Sequence, residues 1–220
     1  MTKKNQETPV EEKDLIISFF TGAAKFYKKH QQAVLTAVGI LIVAALVQYA
    51  YVTHQHKVQE ESWAAFYQAQ QALAVAGEAD GFFRLDKIQK DFPNSPAAQY
   101  AQLLKGDFLY ARENFAQAVD AYRPLISSKN EMVRTAATIS LADALQATNN
   151  YNESVNVITS FIQNEPSNFA LPQAYLTLAL SQELAGNKTE AVKAYQYLLE
   201  NYTKSYFGAF AKDKLTALQK

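Results

Sequence analysis

The 220-residue sequence has no cysteine and only three histidines, His30, His54 and His56. Without cysteine the chain can form no disulfide, no thiol nucleophile and no thiolate metal site. His54 and His56 are two residues apart, and such residues on a helix point in different directions and cannot chelate one ion together. The sequence also lacks the motifs of zinc proteases, phosphate-binding loops and serine hydrolases. It therefore predicts no catalytic residue, no metal ligand and no cofactor.

Neither sign of charge is in excess, because 21 Lys and Arg residues balance 21 Asp and Glu residues. No basic surface for a nucleic acid is indicated. Glycine and proline are scarce, with seven and six residues, and apolar residues recur at three- and four-residue spacing rather than in alternation. This pattern predicts an all-α protein.

Charge is missing altogether from residues 33–52, which are almost all apolar. As a helix this stretch would be about 30 Å long, the thickness of the hydrocarbon core of a bilayer. A cleaved signal peptide is one alternative, but its leader would be unusually long and Gln48 would occupy a position that favours small residues. A buried helix of a soluble protein is another, although such a helix usually keeps a polar stripe. The stretch predicts a single transmembrane helix.

The lysines that flank this stretch predict its orientation. Three precede it and one follows within a similar distance: Lys25, Lys28, Lys29 and Lys57. Since basic residues beside a membrane helix are retained in the cytoplasm, we expect residues 1–32 to form a cytoplasmic tail and residues 53–220 to form an extracytoplasmic domain. No glycine or proline interrupts residues 40–76, so the membrane helix is expected to run into the first helix of that domain.

The remainder of the chain repeats itself at intervals of 36 and 37 residues. Three segments, residues 112–126, 148–162 and 185–199, align without gaps and share small and large residues at fixed positions. The small residues are Gly106, Ala142 and Ala179, then Ala118, Ser154 and Ala191, and the large ones are Tyr122, Ile158 and Tyr195, then Leu125, Phe161 and Leu198. Facing helices interdigitate when small residues on one meet large residues on the other. The repeats therefore predict stacked helix pairs.

This pattern resembles the tetratricopeptide repeat, a helix–turn–helix unit with small residues where its two helices cross. The resemblance implies an α-solenoid that follows the transmembrane helix, with clear repeats at about residues 99–130, 135–167 and 172–203. An atypical first pair, residues 57–95, and a capping helix, residues 205–218, would close its two ends.

In the tetratricopeptide family the first helix of each repeat lines a concave groove. The family register places eleven residues of this sequence in that groove: Tyr100, Leu103, Asp107, Tyr110, Ile139, Asp143, Gln146, Gln173, Leu176, Leu180 and Glu183. The basic and Asn side chains with which some members hold an acidic peptide terminus are missing from this set. The resemblance implies instead a mixed, faintly acidic groove for extended or helical protein segments with hydrophobic anchors. For the leucines and the isoleucine, packing between repeats is the alternative role.

Two further segments resemble the YfgM-like family of bacterial inner-membrane proteins. Residues 11–35 share its acidic start, its apolar-aromatic stretch and its basic approach to the anchor, and residues 59–73 share its S-W-A-A-F-Y-Q-A-Q core. The resemblance implies a single-pass inner-membrane protein with a cytoplasmic N-terminus and a periplasmic repeat domain. It also implies protein partners: the Sec translocon, a membrane-anchored periplasmic chaperone, and the exported proteins that these two help to release.

Two other classes of function stay open. A scaffold of another cell-envelope assembly, in outer-membrane assembly, division or secretion, would suit the joint at residues 91–103 equally well. Many outer-membrane assembly members are lipoproteins anchored through a cysteine, however, and this chain has none. An enzyme would need a nucleophile, a base or a metal site, and the sequence reveals none of these.

Overall fold

A computed structural model describes residues 9–218, with side chains from residue 17 onward. This part of the chain is all-α, as predicted, and contains no strand. Its helices are α1 (Pro9–Lys29), α2 (Gln31–Val75), α3 (Glu78–Asp91), α4 (Pro96–Ala111), α5 (Phe115–Tyr122), α6 (Glu131–Ala147), α7 (Tyr151–Asn164), α8 (Leu171–Leu184), α9 (Lys188–Asn201) and α10 (Tyr206–Leu218). A 3-10 turn, Arg123–Ser127, extends α5. Contacts divide the chain into two units, Met1–Lys57 and Val58–Lys220.

The first unit contains α1 and the N-terminal part of α2. The chain bends at His30, between the end of α1 and the start of α2. By length and composition α2 is able to cross a membrane, and none of its apolar window is buried against protein. The anchor predicted at residues 33–52 lies within this helix. The first eight residues of the predicted cytoplasmic tail lie outside the described part of the chain.

In the second unit, consecutive helices pack as pairs. Residues 58–75 of α2 pack with α3, α4 with α5, α6 with α7, and α8 with α9, while α10 packs on both α8 and α9. In addition α6 contacts both α4 and α8, and α8 contacts α10. The first helices of successive pairs are therefore neighbours. We call the surface formed by α4, α6 and α8 the first-helix face.

Every pair buries residues at the same four positions of the repeat. The small positions are Ala69, Gly106, Ala142 and Ala179 on the first helices and Gly81, Ala118, Ser154 and Ala191 on the second, and the large positions are Leu85, Tyr122, Ile158 and Tyr195, then Ile88, Leu125, Phe161 and Leu198. The first pair, which the sequence suggested to be atypical, thus keeps the full pattern. Its glycine is required by packing, because a Cβ at Gly81 would lie 2.3 Å from a methyl group of Leu73.

The turn within a pair is repeated as well. Glu113, Asn149 and Gly186 adopt positive φ angles of 61°, 61° and 80°. In each case the amide of the following residue donates to the carbonyl five residues earlier, which is the Schellman hydrogen bond that ends a helix. The same short turn therefore brings each second helix back onto its first helix.

Candidate protein-binding face

The eleven residues predicted to line the groove lie on three neighbouring helices. Those on α4 are Tyr100, Leu103, Asp107 and Tyr110; those on α6 are Ile139, Asp143 and Gln146; those on α8 are Gln173, Leu176, Leu180 and Glu183. On each helix they recur at three- and four-residue spacing, which places them along one side. The structure therefore assigns all of them to the helices of the first-helix face, although they differ in how much side chain they expose.

Most apolar members of the set contribute to the core. Leu176 is 7% exposed, and Leu103, Ile139 and Leu180 are partly buried against core clusters. Packing between repeats, the alternative role, accounts for these contacts. Tyr110 in contrast is 37% exposed, and its ring meets that of Phe115 edge-on with a centroid distance of 5.1 Å.

Two carboxylates are held by tyrosines from the second helices. The hydroxyl of Tyr122 donates to Asp107 at 2.8 Å, and the hydroxyl of Tyr195 donates to Glu183 at 2.8 Å. Both tyrosines occupy the same buried position of the repeat, and burial raises the pKa of each, so they stay protonated donors. Burial also raises the pKa of Asp107, and this effect exceeds the lowering by the hydrogen bond from Tyr122.

Asp143 lies where α4, α6 and α8 meet. Thr177 of α8 donates a hydrogen bond to Asp143 at 3.2 Å. Burial and, second, the negative charge of Asp143 raise the pKa of Tyr110 on α4. Burial raises the pKa of Asp143 itself to about 6, against a weaker lowering by Thr177. Its carboxyl group therefore changes protonation state at mildly acidic pH.

Gln146 joins α6 to α8. Its amide donates to the carbonyl of Thr177 at 3.2 Å and to the hydroxyl of Ser181 at 2.8 Å. Ser181 in turn shares a buried hydrogen bond of 2.8 Å with Ser154 of α7. The hydrogen bonds among Gln146, Ser181 and Ser154 connect two neighbouring repeats. Gln146 therefore has a structural role, although its side chain is also partly exposed.

The sequence reasoning missed an aromatic cluster on the first pair. The ring of Trp63 lies 5.4 Å from that of Tyr100 and 6.1 Å from that of Tyr67 between centroids, and Tyr67 is 63% exposed. Trp63 precedes Tyr100 by 37 residues, which is the repeat interval, so extending the alignment to the first pair would have found it. The cluster continues the first-helix face onto residues 58–75 of α2.

Comparison with protein families gives one match that covers most of the chain. The model of the tetratricopeptide repeat-like domain matches residues 24–220. The chain belongs to the tetratricopeptide repeat-like domain family. This match confirms the repeat architecture and does not single out the YfgM-like family. A search of curated proteins gives no match.

Tetratricopeptide repeat-like domains are in general protein-interaction modules rather than enzymes. Among the residues that the structure describes, no three His, Asp or Glu side chains come together as a metal site. Every buried side-chain nitrogen or oxygen in that part has a hydrogen-bond partner. The first-helix face of this tetratricopeptide repeat-like domain carries the exposed ring of Tyr110 and the carboxylates Asp107, Asp143 and Glu183.

The repeat-like domain also contains a hollow lined by residues of the 3-10 turn, α6 and α7. It has a volume of about 340 Å³, with Ile126, Val157 and Phe161 on its apolar wall. At its rim Arg134 and Glu165 form an ion pair of 2.6 Å. This hollow is the alternative place for a partner on this domain.

Proposed function

We propose that the chain is a non-enzymatic, membrane-anchored module that binds segments of other proteins on its first-helix face. The observation that supports this most directly is exposure on that face: Asp107 and Tyr110 are exposed on α4, beside a cluster in which Tyr67 is 63% exposed. Rings of this kind supply contact area at little cost in conformational entropy, and interfaces are enriched in them.

The charge of the face favours one kind of ligand. Asp107, Asp143 and Glu183 are carboxylates, and among the described basic residues an ion pair is formed with one of them, by Lys214 of α10 at 3.0 Å from Glu183. An acidic peptide terminus would meet repulsion here. The proposal is therefore that extended or helical segments bind whose hydrophobic anchors pack on the exposed rings of the face.

For the cellular role we propose an ancillary function in protein export. The chain resembles the YfgM-like family in its tail and in its first repeat helix, and α2 is long and apolar enough to anchor it. Under this proposal the anchor spans the bacterial inner membrane, the repeat-like domain lies in the periplasm, and the partners are the Sec translocon, a membrane-anchored chaperone and exported chains.

Site-specific photo-crosslinking in native membranes tests the binding face. A photoreactive residue is placed at Asp107, Tyr110 or Gln173 of the full chain, and the adducts are identified by mass spectrometry. The matched exposed position away from the predicted set is Asn156 of α7, which lines the hollow. We expect protein adducts from the three first-helix positions and few from Asn156.

The identity and position of the adducts decide between the alternatives. Adducts to the translocon, its chaperone or exported chains support the export role. Adducts to other envelope assemblies, without any of these, would instead make the protein a scaffold. Adducts from Asn156 alone would move the binding site to the hollow and refute the proposed face.

A further inference from the structure

Three large apolar side chains are exposed at equivalent positions of successive repeats. They are Met132, Phe169 and Tyr206, which are 57%, 64% and 70% exposed and are separated by 37 residues each. The equivalence is structural as well as numerical, because the residue five positions after each one is a fully buried alanine: Ala137, Ala174 and Ala211. We call these three exposed residues the edge stripe.

The edge stripe runs along one end of the first helices. Met132 is the second residue of α6, Phe169 lies in the turn just before α8, and Tyr206 is the first residue of α10. Since α8 contacts both α6 and α10, Phe169 belongs to the middle one of three neighbouring repeats. Exposed apolar side chains that are neighbours and not scattered singly are typical of interaction sites.

The exposed charges that precede the two outer members differ, because Lys129 and Glu131 precede Met132 whereas Lys204 precedes Tyr206. Glu131 directly precedes Met132 and is exposed, with one long hydrogen bond of 3.4 Å from Asn168. A hollow of about 230 Å³ next to it is lined by Glu131, Arg134 and Glu165, and one guanidinium against two carboxylates leaves this hollow negative. At the other end Lys204 is exposed two residues before Tyr206.

We propose that the edge stripe is a contact between two copies of this chain, related by a two-fold axis at Phe169. The sequence interval from Met132 to Phe169 equals the interval from Phe169 to Tyr206. The edge stripe therefore keeps the same spacing when its direction is reversed. A reversed copy places Phe169 on Phe169 and Met132 on Tyr206 at the same time. The same operation brings Lys204 of each copy to the negative hollow beside Glu131 of the other. Such self-complementarity is what an isologous two-fold interface requires.

The area of this contact sets its strength. Six large side chains, three from each copy, bury on the order of 1,000 Å² in all. Contacts of this size are weak in dilute solution. The dimer therefore depends on protein concentration, and it is best sought in membranes, where the chains are concentrated.

Cysteine cross-linking tests the geometry, and the cysteine-free sequence is its natural background. Disulfides need Cα atoms within about 7 Å, so each variant reports one contact. We expect the full chain with Phe169→Cys to form a disulfide-linked dimer in membranes under mild oxidation. Met132→Cys and Tyr206→Cys should not dimerise alone, but coexpression of these two variants should give the mixed dimer. Phe83→Cys, an equally exposed position on α3 at 68%, is the matched control and should stay monomeric.

Other cross-linking patterns overturn the proposal. Equal dimer formation by all four single variants would show random collision. Dimers of Met132→Cys and Tyr206→Cys with themselves would show a parallel arrangement. No dimer from any variant, with the three stripe positions labelled instead by lipid-borne reagents, would show that the stripe contacts a bilayer.

Charge exchange gives an independent test that does not involve cysteine. Lys204→Glu should raise the dissociation constant of the full-length dimer about two- to fivefold, as an exposed ion pair allows. The double variant with Lys204→Glu and Glu131→Lys should recover the original value, because the pair is restored with its signs reversed. Sedimentation equilibrium in detergent measures both. An equal loss in the single and double variants would refute the pairing.

Discussion

At the scale of single residues, the fold depends on close contacts that admit no extra atom. Gly106 is the clearest case, since a Cβ there would lie 2.4 Å from the ring of Tyr122. That ring is fully buried and its hydroxyl holds Asp107. A one-methyl change at Gly106 therefore acts on both the core and the first-helix face.

We predict that Gly106→Ala lowers the free energy of unfolding by about 1–3 kcal/mol, because the Tyr122 ring must leave its position. Denaturant unfolding followed by circular dichroism measures the change. The matched control is Gly106→Ala in a Tyr122→Leu background, where the smaller side chain leaves room. There alanine should be neutral or stabilising, since it is a better helix former than glycine. Equal loss in both backgrounds would refute the steric explanation.

Asp143 leads to a prediction about pH. Burial raises its pKa to about 6 from an ordinary 3.8, so the folded chain holds the proton more tightly than the unfolded chain. Its contribution to stability is present below about pH 4 and is lost as the pH rises through 6. Asp143→Asn should therefore raise the free energy of unfolding at pH 7 by roughly 1–3 kcal/mol and change it little at pH 3.5.

The measurement for Asp143 is denaturant unfolding across this pH range. The hydrogen bond from Thr177 can still be accepted by the amide oxygen of asparagine. Asp120→Asn, on the exposed side of α5, is the control for loss of a carboxylate that is not buried in the folded chain. If Asp143→Asn left the dependence of the unfolding free energy on pH unchanged, a group other than Asp143 would be responsible for that dependence.

At the scale of elements, α10 is the last helix that the structure describes, and it packs on the third clear repeat. Ala211 is fully buried against α8 and α9, and Lys214 reaches Glu183 at 3.0 Å. Among the described helices α10 contacts α8 and α9. Because repeats interact mainly with their nearest neighbours, loss of α10 should destabilise these two helices more than the rest of the array. Sequence analysis predicted this helix at residues 205–218, and the structure has it at Tyr206–Leu218.

We predict that Ala211→Glu detaches α10, because a buried unpaired carboxylate is costly. Hydrogen exchange should show loss of protection in residues 206–218 and in α9, with α4 to α7 unchanged. Ala209→Glu, two residues away on the exposed side of the same helix, is the matched control and should retain protection throughout. Uniform loss of protection along the chain would show that the array unfolds as one cooperative unit.

At the scale of the whole molecule, the proposed topology rests on three lysines before the apolar stretch. We predict that changing Lys25, Lys28 and Lys29 together to glutamate inverts a substantial fraction of the molecules, because the charge that retains the tail in the cytoplasm is lost. Reporter fusions at the C-terminus measure the fraction on each side. Lys57→Glu should leave the orientation unchanged. An unaltered orientation in the triple variant would mean that other signals set the topology.

The helix pairs and their register could be predicted from the sequence because they depend on local periodicity. Small residues recur every 36 or 37 positions opposite large ones, and this pattern survives without any knowledge of distant contacts. The sequence suggested an atypical first pair because the alignment of the three segments did not include Gly81, Leu85 and Ile88. The apolar stretch at residues 33–52 was equally visible, since length and lack of charge are properties of the sequence itself.

The tertiary structure alone decided how the side chains of the first-helix face are used. Leu176 is a core residue and Tyr110 an exposed one, although both fit the same family register, because burial depends on which neighbouring helix covers each position. The tyrosine hydroxyls that hold Asp107 and Glu183 come from the second helices of their own repeats, 15 and 12 residues away. Such contacts, and the alignment of Met132, Phe169 and Tyr206 along one edge, arise only when the repeats are stacked in space.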